Sequence, residues 1–189
     1  LIQTLADSDA RTRRREHAVE VQMRRREIGF GRQLRQAKDQ AATDPLTGLR
    51  NRAYLEEHLE PLYHRQMARN AELAAVMMDV DNFKAYNDAH GHQVGDALLR
   101  FIGALLRGSI RPADVAVRYG GDEFLLLLPD ADVEKAAAIA DRLVKLFGQF
   151  TGRLGREDAV SMSAGVASSH TAACENGHAL VNQADASLY

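Results

Sequence analysis

The sequence predicts an α/β domain of the α+β kind, a mixed sheet flanked by helices and preceded by a helical stalk. Three observations carry that expectation. Short apolar runs at 73–80, 115–119, 123–128 and 160–167 read as strands. Stretches with helical apolar spacing separate them, so strand and helix alternate along the chain. Before all of these, residues 1–43 are rich in Arg, Gln, Glu and Ala, lack proline and read as mostly helical up to a break at Asp44-Pro45.

The stalk carries Phe30, Leu34, Ala37 and Ala41 at alternating four- and three-residue spacing, a coiled-coil seam two heptads long. Gly29 and Gly31 interrupt it, and the clusters Arg13 to Arg15 and Arg24 to Arg26 read as a solvated face, so linker helix and dimerising stalk are both open readings. Residues 43–51 read as a turn and a helix cap, which sets a domain boundary and divides the chain into 1–43 and 44–189. A helix is expected at 52–70 and a buried strand at 73–80. Residues 93–108 form the next helix, with Val94, Ala97, Leu98, Phe101, Ile102 and Leu105 on one face. Gly120-Gly121 lies between two apolar runs, the signal of a two-residue type I′ hairpin with positive φ at both glycines. A helix at 131–150, a strand at 160–167 and a helix from 177 onward complete the pattern.

Composition narrows the chemistry. The chain has 189 residues, enough for one domain with an extension. Its single cysteine, Cys174, excludes intrachain disulfides and thiolate zinc sites and suits a reducing compartment. No apolar run approaches the ~18 residues of a membrane span. Opening on Leu1 rather than Met, the sequence reads as a piece of a longer protein, cytoplasmic in this part, with an upstream sensor and room for a membrane anchor outside it. The net charge of −2 hides an asymmetry, because residues 1–43 hold 10 Lys/Arg against 6 Asp/Glu and residues 44–189 hold 14 against 20. The basic clusters lack interleaved aromatics, so no nucleic-acid partner is expected. An acidic domain that handles phosphates must recruit cations, which points to metal-assisted phosphate chemistry.

Carboxylates stand where strands meet turns: Asp79 and Asp81 at the end of the first strand, and Asp122 and Glu123 at the hairpin. Paired strands would bring them together. Mg²⁺ takes oxygen ligands in an octahedron, usually one or two carboxylates plus phosphate oxygens, so such a cluster suits nucleotide chemistry. Acidic turns are also common on plain protein surfaces, and Asp79 with Asp81 alone does not decide between the two readings.

Arg118-Tyr119-Gly120-Gly121-Asp122-Glu123-Phe124 resembles the signature of the GGDEF family, the diguanylate cyclases. Other motifs arrive in the family's order: Asp44-Pro-Leu-Thr-Gly-Leu-Arg-Asn-Arg52, Asp79-Val-Asp-Asn-Phe-Lys84, Asn87-Asp-Ala-His-Gly-His-Gln-Val-Gly-Asp96, Ser163-Ala-Gly-Val-Ala167 and Ala184-Asp-Ala-Ser-Leu-Tyr189. The resemblance covers residues 44–189, and several ordered motifs are far more specific than a lone Gly-Gly-Asp-Glu string. The sequence stops before the family's usual Ala-Lys-x-x-Gly-Arg-Asn segment.

The resemblance implies a nucleotidyl-cyclase fold akin to polymerase palms, and an enzyme that condenses two GTP into cyclic di-GMP as a homodimer. It implies Mg²⁺, with Mn²⁺ as the alternative, held by Asp79, Glu123 and the backbone carbonyl of Val80. Asp122 matches a position near the attacking ribose hydroxyl, and Glu123 with Asp122 forms the catalytic pair. Lys84 matches a triphosphate contact. Asn87 and Asp96 match the guanine readers, where a carboxylate accepts from N–H groups that adenine lacks. Five residues separate Asp114 from Gly120, which is where the family's product-inhibition pair falls; Arg111 and Asp114 match that pair, and Arg142 matches a secondary inhibitory arginine. His90 and His92 read as structural, in a turn between helices. A catalytically silent module that binds GTP or cyclic di-GMP is the alternative reading.

Overall fold

The computed structural model describes residues 37, 39–153, 155, 160–170 and 174–188. It divides into two compact units, Leu1–Ala41 and Ala42–Tyr189. In the first, Ala37 and residues 39–41 are helical. The heptad positions Phe30 and Leu34, the arginine clusters and the glycines of the stalk lie outside the described residues. Among the described residues no helix is long and apolar enough to cross a membrane.

The second unit begins with helix α1 (Arg52–Ala68), whose start is set by Asn51: its side chain accepts from the Tyr54 N–H and satisfies an amide the helix leaves unpaired. Strand β1 (Leu73–Val80) follows and is buried along its length except at half-buried Asp79. Helix α2 (Phe83–His90) meets α3 (His92–Ser109) at Gly91, whose φ of 85° glycine adopts without strain. The expected turn at His90 to His92 is this junction. Strands β2 (Val115–Arg118) and β3 (Glu123–Pro129) form the hairpin. Helix α4 (Val133–Thr151) starts where the Asp132 side chain accepts from the Lys135 N–H, two residues later than expected because Asp132 caps the helix from outside it. Strand β4 (Met162–Ser168) and helix α5 (Gly177–Ala186), capped by Asn176, complete the domain.

The strands form one sheet in the order β2-β3-β1-β4. Each pair is antiparallel, and the single parallel pairing among the described residues is the isolated bridge between Arg50 and Val117. The expected mixed sheet is therefore antiparallel in its strands. The two helices after β1 carry the chain past the place where β3 later inserts, so β2 never lies beside β1.

Helices cover both faces. On one, Ala74, Val76, Met78, Phe124, Leu126 and Leu128 pack against Leu98, Leu99, Ile102 and Leu106 of α3 and Ala136, Ala140, Leu143 and Phe147 of α4. On the other, Leu73, Ala75, Met77, Leu125 and Leu127 pack against Leu55, Leu59 and Tyr63 of α1 and Leu180, Val181 and Ala184 of α5. This double burial explains why β1 and β3 read as continuous apolar runs rather than alternating ones. Gly165 of β4 lies so close under α5 that a Cβ there would collide with the backbone of Ala184, Ser187 and Leu188.

Candidate active site

Strand register builds the site. Asp79 of the central strand β1 pairs with Glu123 on one side and with Ser163 on the other. Directly opposed residues project to the same face of a sheet, so two carboxylates meet there at the carboxyl end of β1. Val80, the last residue of β1, follows Asp79 directly. Burial comes first, and the negative charges of Asp122, Glu123, Asp81 and Asp185 follow, in pushing the Asp79 carboxyl up to about 6 from its ordinary 3.8.

The loop that presents Glu123 is not the expected type I′ turn. The positive-φ glycines among the described residues are Gly48, Gly91 and Gly155, not Gly120 or Gly121. Arg118 pairs with Phe124, and the four residues 119–122 join β2 to β3 in place of a two-residue turn. The Glu123 carbonyl accepts from the N–H groups of Tyr119 (2.9 Å) and Gly120 (3.2 Å), closing that loop. Gly120 is not in the left-handed region, and a Cβ there would meet the Glu123 carboxylate where it now lies.

Arg118 fastens the loop to the start of the domain. Its Nε and Nη2 donate to the Gly121 carbonyl at 3.2 and 2.7 Å, and its Nη1 lies 3.2 Å from Asp44 Oδ2. Both partners of that ion pair are largely enclosed, their side chains 18% and 15% exposed. Asp44 Oδ1 also accepts from the Thr47 N–H and hydroxyl at 2.8 and 2.6 Å. Burial pushes the Asp44 acid strength down, but the Thr47 hydrogen bonds and the Arg118 charge outweigh it and hold the carboxyl below its ordinary pKa. The turn signal at 43–51 is thus the other half of a clasp on the signature loop.

The remaining predicted residues fall into groups. Lys84 is exposed on the first turn of α2. That helix starts at Asn82, in the left-handed region with φ 56°, and its side chain makes no capping hydrogen bond. Asn87, one turn further along the same helix, lies against Gly95 of α3, so close that a Cβ at 95 would collide with its carboxamide; its Oδ1 is buried without a hydrogen-bond partner. Asp96 is the next residue along α3, half exposed and 3.8 Å from Arg100. An unpaired buried acceptor is costly in a free protein and useful when a ligand brings a donor.

Arg111 and Asp114 close their own turn. The Arg111 N–H donates to Asp114 Oδ2 at 2.8 Å and the Asp114 N–H donates to the Arg111 carbonyl at 3.0 Å, leaving the Arg111 guanidinium exposed. Arg142 reaches across from α4 to the Ser109 carbonyl at 2.9 Å, two residues before Arg111.

Asp81 departs from the expected carboxylate cluster. Its carboxylate turns to β4, where Ser161 Oγ donates at 2.5 Å and Ser163 Oγ at 2.7 Å. Sequence reasoning also passed over Asp185, which reaches the field of Asp79 only because α5 lies flat on β4. No local signal marks either role, because both depend on which strand sits beside β1.

Among the described residues no three His, Cys, Asp or Glu side chains converge as a ready-made metal cage. Two opposed carboxylates whose mutual repulsion is unrelieved, with a carbonyl at the strand end, nonetheless fit Mg²⁺, which draws its other ligands from phosphate and water.

A family model described as "Diguanylate cyclase, GGDEF domain" matches residues 41–189. The chain belongs to the GGDEF family. It is 40% identical over 163 residues to the probable diguanylate cyclase DgcE of Escherichia coli (strain K12), covering 82% of this chain and 14% of that protein. It is 38% identical over 152 residues to the response regulator PleD of Caulobacter vibrioides, covering 79% of this chain and 33% of that protein. The chain thus spans a third or less of the length of these curated relatives. The crystal structure of the coiled coil and GGDEF domain of DgcB from Caulobacter crescentus, in complex with c-di-GMP, matches with a TM-score of 0.78 at 26% identity over 92% of each chain. The diguanylate cyclase SiaD of Pseudomonas aeruginosa, solved with its activator SiaC, matches with a TM-score of 0.74 at 33% identity, over 98% of this chain and 71% of that one.

Proposed function

We propose that this domain condenses two molecules of GTP into cyclic di-GMP, and the observation that carries the reading is the opposed pair Asp79 and Glu123 at the end of β1. Asp79, Glu123 and the Val80 carbonyl would hold Mg²⁺, or Mn²⁺ in its place, and a cation bound there would neutralise charge on the phosphates and acidify the attacking hydroxyl.

The 3′-hydroxyl oxygen of one GTP attacks the α-phosphorus of the other. A new P–O bond forms, the bond to the β-phosphate breaks, pyrophosphate leaves and the hydroxyl proton is released; the same step in the other direction closes the ring. Asp122, at the tip of the hairpin, stands beside the attacking ribose. Lys84 and the uncapped amino end of α2, where the helix dipole is positive, take the triphosphate. Asn87 and Asp96 read guanine, and the unpartnered Asn87 Oδ1 gains a donor from the base.

One domain supplies one GTP, so a homodimer is needed, with the stalk as its control element. Arg111 and Asp114, with Arg142 beside them, form the site through which cyclic di-GMP inhibits its own synthesis. The likeness to DgcB, solved in complex with c-di-GMP, supports that ligand.

Incubation of the protein with GTP and Mg²⁺, followed by nucleotide chromatography, tests the proposal. Cyclic di-GMP and pyrophosphate in a 1:2 ratio are expected from the two-step chemistry. A dimeric sample that binds GTP and yields no cyclic product sinks the enzyme reading and leaves a binding module.

A further inference from the structure

We infer that Ser161 and Ser163 act through Asp81 as positioning residues for the triphosphate, a role that rests on the proposed GTP chemistry. Asp81 occupies the link between β1 and α2, one residue past Val80 and one before the left-handed Asn82. Its N–H donates to the Ser161 carbonyl at 3.0 Å, and its two carboxylate oxygens accept separately from Ser161 Oγ and Ser163 Oγ. Three bonds therefore tie this residue to Ser161 and Ser163 at the start of β4.

The clamp has two physical effects. It fixes the backbone where the chain leaves β1, which sets the direction of α2 and with it Lys84 and Asn87. It also holds a negative charge that would otherwise swing toward the amino end of α2. Free carboxylates near a helix amino terminus are drawn to its unpaired N–H groups. Asn82 contributes no side-chain cap there, so those groups stay open. A carboxylate that reached them would compete with phosphate for the same donors and repel it. Neither serine need touch substrate.

The test compares the serine pair with the charge they hold. Replacing both serines, S161A/S163A, is expected to raise the KM for GTP about ten-fold while kcat changes less than about two-fold, the size expected from losing hydrogen bonds to a charged group. Threonine at both positions keeps the hydroxyls and is expected to restore the wild-type KM. Adding D81N to the alanine pair removes the freed charge and is expected to recover part of the loss. In the nucleotide-free protein, hydrogen exchange at amides 81–85 is expected to speed up in S161A/S163A, while β1 and β3 keep their protection. Unchanged KM and exchange in the alanine pair would overturn the inference, and so would a D81N addition that deepens the loss. If the alanine pair fails to fold, S161A alone, at an exposed position before β4, carries the same expectations at smaller size. A wild type that makes no cyclic di-GMP defeats the proposed function, while the exchange measurement still decides the clamp.

Discussion

Asp44 and Asp79 are both partly enclosed aspartates attached to the signature hairpin, one through Arg118 and the other through the β1–β3 ladder, and their surroundings push them in opposite directions. Asp44 meets a guanidinium and two Thr47 donors, and its carboxyl is held below the ordinary value. Asp79 meets Asp122, Glu123, Asp81 and Asp185 with no cation facing it among the described residues, and its carboxyl is pushed up to about 6. The clasp is electrostatically complete within the chain, while the strand end gathers negative charge that no group acting on the Asp79 carboxyl offsets among the described residues. The difference separates a carboxylate that supports the fold from one that the fold holds in an unfavourable state.

The comparison can be broken most severely at Glu123. Glu123→Gln keeps the shape of the strand end and removes one of two opposed charges; turnover of GTP is expected to fall by about a thousand-fold or more, the loss of several kcal/mol of transition-state charge stabilisation. Nucleotide chromatography after extended incubation would show it, and residual activity within ten-fold of wild type would remove Glu123 from the reaction.

The clasp should respond in stability instead. Arg118→Ala leaves Asp44 enclosed without its cation, for which a loss of about 3 kcal/mol is expected. Urea unfolding measures it, and a change below ~0.5 kcal/mol would mean that the pair behaves like an ordinary surface bridge.

At the strand end the sign reverses. Asp79→Asn removes a crowded charge and is expected to stabilise the metal-free domain at neutral pH by about 1–2 kcal/mol, after allowance for solvent screening, while abolishing synthesis. A raised carboxyl opposes folding once it ionises: the cost is fully present above about 6, declines as pH falls through 6, and is gone below the unfolded value of 3.8. Metal-free stability should therefore rise on acidification from pH 7 toward pH 4. Asp44, with its lowered carboxyl, contributes stability that is lost only at more acid pH. Between about pH 4 and pH 6 the melting temperature should vary less with pH for Asp79→Asn than for the wild type, and an identical slope there would show that Asp79 is not the group.

Arg111→Ala should have the smallest effect. Its guanidinium is exposed and the turn is held by backbone and by Asp114, so stability should stay within ~0.5 kcal/mol. Inhibition by added cyclic di-GMP should weaken several-fold, consistent with losing one charged contact; unchanged inhibition would take Arg111 out of that role.

Most of the fold was legible because apolar runs and capping residues are local. Strand 73–80 appears with the expected bounds, and Asn51, Asp132 and Asn176 each start a helix within two residues of the expected place or at it. The antiparallel order was not legible, since strand adjacency depends on which connections cross the sheet. The hairpin shows why local rules fail at a site: Gly-Gly suggested a turn chosen for φ, and the glycine at 120 lies instead outside the left-handed region, where a Cβ would meet the Glu123 carboxylate. Asp79 and Glu123 could be paired from motif order. The clasp of Arg118 on Asp44 and the serine clamp on Asp81 join residues 74 or more positions apart, and nothing in the spacing announces them.

Gly165 gives this arrangement an unexpected lever. By carrying no side chain it allows the end of α5 to rest on β4, which is what brings Asp185 within the field of Asp79. The room of one methyl group in β4 therefore bears on the acidity of a carboxyl on the neighbouring strand, two residues along from the Met77 that pairs with Gly165. Distance between helix and sheet acts here as an electrical setting, so the packing of an apolar layer helps fix how strongly the strand end attracts a cation.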